Sequence, residues 1–181
     1  MKTFIQSSLL AMVFVSLLAG FTFTRNSSDR TLRSVPDAQD TAFVNAAADA
    51  GMLEVQLGKL AATKGSSAAV KEFGQSMVTD HTKANDELKA LAGKKNIKVP
   101  AALSAKSQKK YEDVSKKSGA DFDRAYADQM VKDHNEVIAK FKKESESGTD
   151  SDLKAWAKGK IPTLEHHLMM AQDMNKKVGT K

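Results

Sequence analysis

Two near-copies of one pentapeptide carry two of the four histidines of this chain. "MVTDH" occupies positions 77–81 and "MVKDH" positions 130–134; the other histidines are His166 and His167. Imidazole is the side chain that changes charge near neutral pH, and it ligates zinc, copper, iron and nickel. Its repetition in one local setting raises the question of whether His81 and His134 point to the same place. The string alone does not answer, because a four-in-five match is not rare by chance in a chain of 181 residues.

Direction does. Successive helical residues advance by about 100°. On that wheel the segment 37–64 has an apolar stripe through Phe43, Ala47, Ala50, Leu57, Gly58 and Ala61, with Glu54 near its centre. The next segment has Val70, Phe73, Met77, Ala84, Leu88 and Leu91, with His81 inside the stripe. A later one has Tyr126, Met130, Val137 and Phe141 around His134, and the last has Leu153, Ala157, Leu164, Ala171 and Met174 with His167 on the edge. His166 falls on the polar side. Each of four helices therefore aims one ionisable group inward. Burying such groups unpaired costs several kcal/mol, so four together must satisfy each other or share a ligand. At about 1.5 Å of rise per residue, their positions allow a single level near mid-bundle.

Three imidazoles and one carboxylate, Glu54, His81, His134 and His167, can hold one transition-metal ion such as zinc, copper or iron. The competing reading is a buried His–Glu hydrogen-bond network with no metal. Met77 and Met130 lie one turn before their histidines as soft ligands for copper(I) or as core filler. Asp80 and Asp133, about 100° away, are outer acceptors across a helix seam or surface groups. A di-iron site is not expected: it needs Glu-x-x-His on two helices and two further glutamates, whereas Val78, Val131 and Leu164 stand three residues before the histidines. No nucleophile with its base, carboxylate pair or phosphate loop suggests an enzyme.

The elements that must position these groups are all helical. The segments run over 37–64, from a Ser66 or Ser67 cap to about 96, over 101–117, from 118 to 147 with Ser118 and Asp121 spaced as a capping box, and over 151–177 with a kink expected at Pro162. A connection of this length between the second and third long helices can cross a bundle lengthwise. The expected fold is thus all-α, a ferritin-like four-helix bundle over 37–178 with a short extra helix in the crossover.

Residues 1–24 hold one lysine, then an apolar run without acids, the layout of an export signal or an uncleaved anchor. Residues 25–36 are a polar linker. The absence of cysteine excludes disulfides and thiolate chemistry. The formal charge of +6 suits contact with an anionic envelope surface or a protein partner. Nucleic acid is not an expected partner, since basic and aromatic residues do not interleave. The alternative function is a non-catalytic structural or interaction module of the envelope.

The stretches "GMLEVQLGKLA", "MVTDHTKANDEL", "DFDRAYADQMVKDH" and "PTLEHHL" resemble an exported bacterial family catalogued as domain of unknown function 4142 and labelled as outer-membrane proteins. The resemblance covers about residues 38–175. It implies a ferritin-like bundle in the periplasm or at the outer membrane, with Glu54, His81, His134 and His167 as family-type positions. It implies no activity.

Overall fold

In a computed structural model of the chain, residues 37–179 are described. They form five helices and, among the described residues, no strand: α1 Ala38–Lys64, α2 Ala68–Lys94, α3 Ala105–Ser115, α4 Gly119–Ser147 and α5 Ser151–Gly179. The signal or anchor over 1–24 and the linker over 25–36 lie outside the described residues. No described helix is long and apolar enough to cross a membrane.

Local chemistry sets the ends. Asp37 caps α1 by accepting from the Gln39 N–H at 2.7 Å, and Ser67 caps α2 by accepting from Val70 N–H at 3.3 Å. Gly65 ends α1, its N–H donating to the Ala61 carbonyl. Ser118 does not cap α4 through its side chain; Gly119, at φ 58°, takes the chain into the helix in the left-handed conformation that favours glycine. The capping box read at Ser118 is therefore not formed. Helix α5 stays continuous through Pro162.

α1 packs along α2 and α4 along α5, giving two hairpins that meet through α1 against α4 and α2 against α5. Directions follow from the hydrogen bonds at the ends. Asp123 near the start of α4 accepts from Ser66 and Ser67 N–H, at 2.9 and 2.8 Å, where α1 ends. Asp40 at the start of α1 accepts from Thr149 and Asp150, where α4 ends. Lys95, after α2, pairs with Asp150 and Asp152 at the start of α5. So α1 and α5 run one way and α2 and α4 the other. The chain between α2 and α4 must travel the bundle's length, and α3 is laid along α1 on the way. Asp49 accepts from Ser104 and Ser107, and Lys64 donates to the Ser115 carbonyl.

Two hydrophobic clusters fill the interior. One, at the α1–α2 turn, includes Leu57, Phe73, Tyr126, Met130 and Met174. The other, at the opposite end, includes Val44, Leu88, Phe141 and Leu153. Between them, on all four long helices, lie Glu54, His81, His134 and His167. The core is two apolar compartments with one polar layer in the middle.

A glycine pair sets how closely α1 and α2 cross beside that layer. A Cβ on Gly58 would stand 2.7 Å from the Gly74 carbonyl oxygen, and a Cβ on Gly74 the same distance from that of Gly58. Backbone meets backbone there, so neither position accepts a side chain without separating the helices. That approach holds Glu54 and His81 within bonding reach.

Candidate metal centre

The layer is a triangle of imidazoles. Ring centroids of His81, His134 and His167 are 5.9, 5.4 and 5.5 Å apart. Phe73 covers one side, its ring 6.4 Å from that of His134 and 6.5 Å from that of His167. Exposure is 6% for His81, 0% for His134, 2% for His167 and 1% for Glu54. His167 is inside the stripe rather than on its edge. His166 is exposed.

Each ring has one nitrogen engaged. His81 Nδ1 donates to Glu54 Oε2 at 3.0 Å. His134 Nδ1 donates to the Met130 carbonyl at 2.9 Å. His167 Nε2 donates to Asp80 Oδ2 at 2.9 Å, across the α2–α5 seam. An acceptor on one nitrogen places a proton there, and in the neutral ring leaves a lone pair on the other. Those other atoms, His81 Nε2, His134 Nε2 and His167 Nδ1, are buried and without a hydrogen-bond partner among the described residues. One nitrogen from each ring lies within 4.8 Å of the others. Three donors around a tetrahedral ion at about 2.05 Å stand about 3.3 Å apart, so side-chain adjustments of about 1.5 Å close the set.

Glu54 is not in that group of converging atoms; it holds the back of the His81 ring. Its Oε1 has no hydrogen bond and lies 3.6 Å from His134 Nδ1. Burial pushes the Glu54 carboxyl up, but the charges of His81 and His134 and the His81 hydrogen bond outweigh it and hold it at about 2. Burial pushes His81 down, and the Glu54 charge and hydrogen bond reverse this and raise it. Burial dominates at His167, which is lowered to about 4 despite Asp80. Glu54 and His81 thus favour each other's charged form, beside a His167 whose burial disfavours the cation.

The two aspartates of the pentapeptides part company. Asp80 orients His167. Asp133, 4% exposed, pairs with Lys110 of α3 and accepts from Gln129 Nε2 at 2.8 Å, away from the imidazoles. Met77 and Met130 are fully buried in the apolar cluster on the Phe73 side.

A cavity of about 150 Å³ adjoins the layer, with Glu54, His81 and His167 at its floor. It reaches the exposed residues Asp80, Lys83 and Thr163 between α2 and α5. Nothing in the periodicity of the sequence signals it.

The family model for the domain of unknown function DUF4142 matches residues 26–174. The chain belongs to the DUF4142 family. The chain is similar in fold to the crystal structure of a DUF305 fragment from Deinococcus radiodurans, with a TM-score of 0.68 at 12% identity. The match covers 81% of this chain and 99% of that one. No curated protein matches. DUF4142 membership fixes the family, and the structural likeness fixes the fold; neither assigns an activity.

Proposed function

We propose that this DUF4142 protein binds a single transition-metal ion through His81, His134 and His167. Glu54 orients His81 and balances charge, Asp80 orients His167, and a fourth position faces the cavity. The observation that carries this reading is the set of three buried imidazole nitrogens that converge without partners. Leaving a buried polar atom unsatisfied costs about 1–3 kcal/mol, and one ion relieves three such costs at once. An imidazole with its far nitrogen held by a carboxylate or carbonyl is the usual form of a metal ligand. Imidazole donors with one nearby carboxylate suit zinc, copper or iron. Met77 and Met130 act as packing beneath the site.

The antiparallel hairpins and lengthwise crossover are the connectivity of ferritin-like bundles, and the proposed architecture is of that kind, with a mononuclear site in place of a di-iron centre. The apolar run in residues 1–24 supports an exported protein of the periplasm or outer membrane, serving metal handling or envelope stress rather than catalysis. Protein purified without a histidine tag carries close to one metal per chain on this reading, and His134→Ala loses it. Protein that takes up neither zinc, copper nor iron overturns it and leaves a structural or interaction module of the envelope.

A further inference from the structure

The cavity beside the imidazole layer has a chemical character of its own. Its walls are Leu88, Val137, Phe141 and Leu164. Its mouth carries Lys83 and Lys160. Lys160 is held in place by Glu87 and by the Trp156 ring, 5.9 Å below its Nζ. At the floor, His81 and His167 each present a nitrogen without a partner. So the space runs from a lysine-bearing mouth, along apolar walls, to the proposed coordination site.

Volume limits what fits. An apolar cavity of about 150 Å³ accommodates a benzene-sized molecule of about six carbon atoms, and this one is 150 Å³ with an opening. Charge limits it further. A divalent ion on three neutral imidazoles is offset by Glu54 and Asp80, and Lys160 is offset by Glu87, which leaves Lys83 as surplus positive charge around the cavity. A neutral apolar molecule would leave both Lys83 and the metal's open position unmet, and a cation would be repelled by them. A small anion without an apolar body would leave Leu88, Val137, Phe141 and Leu164 facing water.

We propose that this cavity binds a small carboxylate with an apolar body of about the size of a benzene ring. The carboxylate occupies the open position of the metal, and the body lies against the leucines, Val137 and Phe141. This rests on the metal-binding reading above and names the ligand class that the same site takes.

Cobalt(II) is the probe, because its visible absorption reports changes in its ligands. Protein loaded with cobalt(II) is titrated with benzoate, toluene and acetate. The expected result is a saturable change of the cobalt band with benzoate below about 10 mM. Toluene produces none, and acetate acts at least about tenfold more weakly because it leaves the apolar walls uncovered. Ala84→Leu, which fills the cavity from a half-buried position, keeps the cobalt band and weakens the benzoate response more than about tenfold. Lys160→Gln, a milder change at the mouth, weakens it severalfold. A cobalt band that benzoate does not alter, or a response untouched by Ala84→Leu, overturns the ligand proposal and leaves the metal site standing. Protein that shows no cobalt band overturns both.

Discussion

Two buried polar clusters of this bundle are equally hidden and chemically opposite. At mid-height, Glu54, His81, His134 and His167 are at most 6% exposed; at the end where α4 turns into α5, Asp40 is 3% and Glu144 2% exposed. Asp40 is saturated. It accepts from the Thr149 N–H at 2.9 Å, the Thr149 hydroxyl at 2.6 Å and the Asp150 N–H at 2.9 Å. Those bonds tie the start of α1 to the turn, which is a structural task completed. Glu144 Oε1 beside Asp40 lacks a hydrogen-bond partner but stands alone, whereas the mid-height layer keeps three ring nitrogens unpartnered, with one nitrogen from each ring within 4.8 Å of the others, next to a cavity that His81 and His167 line. Burial of charge is common to both clusters; unspent bonding capacity that converges is what separates a site from a joint.

The largest test of that distinction removes one group from each cluster. His134→Ala is expected to lower zinc affinity more than about a hundredfold, the share of one ligand in a binding energy of about 10–16 kcal/mol. Competition with a chromophoric chelator measures it, and the variant also loses the thermal stabilisation that zinc gives the parent. Asp40→Ala should leave zinc affinity unchanged and lower stability by about 2–3 kcal/mol, because two backbone N–H groups and a hydroxyl lose their acceptor. Urea unfolding reads that loss. If Asp40→Ala cost metal affinity, or His134→Ala did not, the contrast between the clusters would collapse.

Glu54→Gln sharpens the contrast within the layer. The amide oxygen can still accept from His81, but the charge is gone. Zinc affinity should fall about 10–100-fold, as for other outer partners of metal-bound histidines. A loss as large as that of His134→Ala would mean that Glu54 is itself a ligand.

The end cluster is tested by pH. Burial, then the Asp40 charge, pushes Glu144 up to about 7 from an ordinary 4.5, while the Thr149 and Asp150 donors outweigh burial at Asp40 and hold it low. Between about 4.5 and about 7 the folded state keeps a proton on Glu144 that the unfolded state has released. Stability from this group is therefore full below about 4.5 and falls as pH rises to about 7, by roughly 3 kcal/mol. His167, lowered to about 4, works in the opposite sense over part of that range. The informative quantity is thus the difference between the parent and Glu144→Gln, in which the fall should be absent. Denaturation midpoints at pH 4.5 and 8 supply it.

The four inward groups were legible because helical periodicity is a strong signal and each interrupts an apolar stripe. The five helices were legible from their caps and breaks, and the crossover from the length between α2 and α4. Glu144 lies on the same stripe as Val137 and Phe141 and was open to the same reasoning. Asp40 was not, since an acid in the first turn of a helix has an ordinary local role and only the fold brings Thr149 to it. The cavity was illegible for a related reason: it arises where four side-chain layers fail to fill space, and no single periodicity encodes that. The position of Glu54 behind the His81 ring, outside the group of converging nitrogens, comes from how α1 packs on α2, which no single-helix periodicity encodes.

The two pentapeptides give the finest version of the comparison. "MVTDH" and "MVKDH" place their histidines in one layer, yet their aspartates serve different neighbours: Asp80 meets His167 of α5 and Asp133 meets Lys110 of α3. Asp80, with its side chain 46% exposed, steadies the His167 ring from the solvent side of the seam. Asp80→Asn keeps an oxygen acceptor for His167 Nε2–H but removes the charge, so zinc affinity should drop by no more than about tenfold. Asp133→Asn should leave zinc affinity within error and cost about 1 kcal/mol of stability, since it weakens the Lys110 pair that fastens α3. Hydrogen exchange over residues 105–115 would then quicken in Asp133→Asn alone. Equal effects of the two substitutions on zinc would show that the repeated string, rather than the helix each copy faces, decides what its aspartate does.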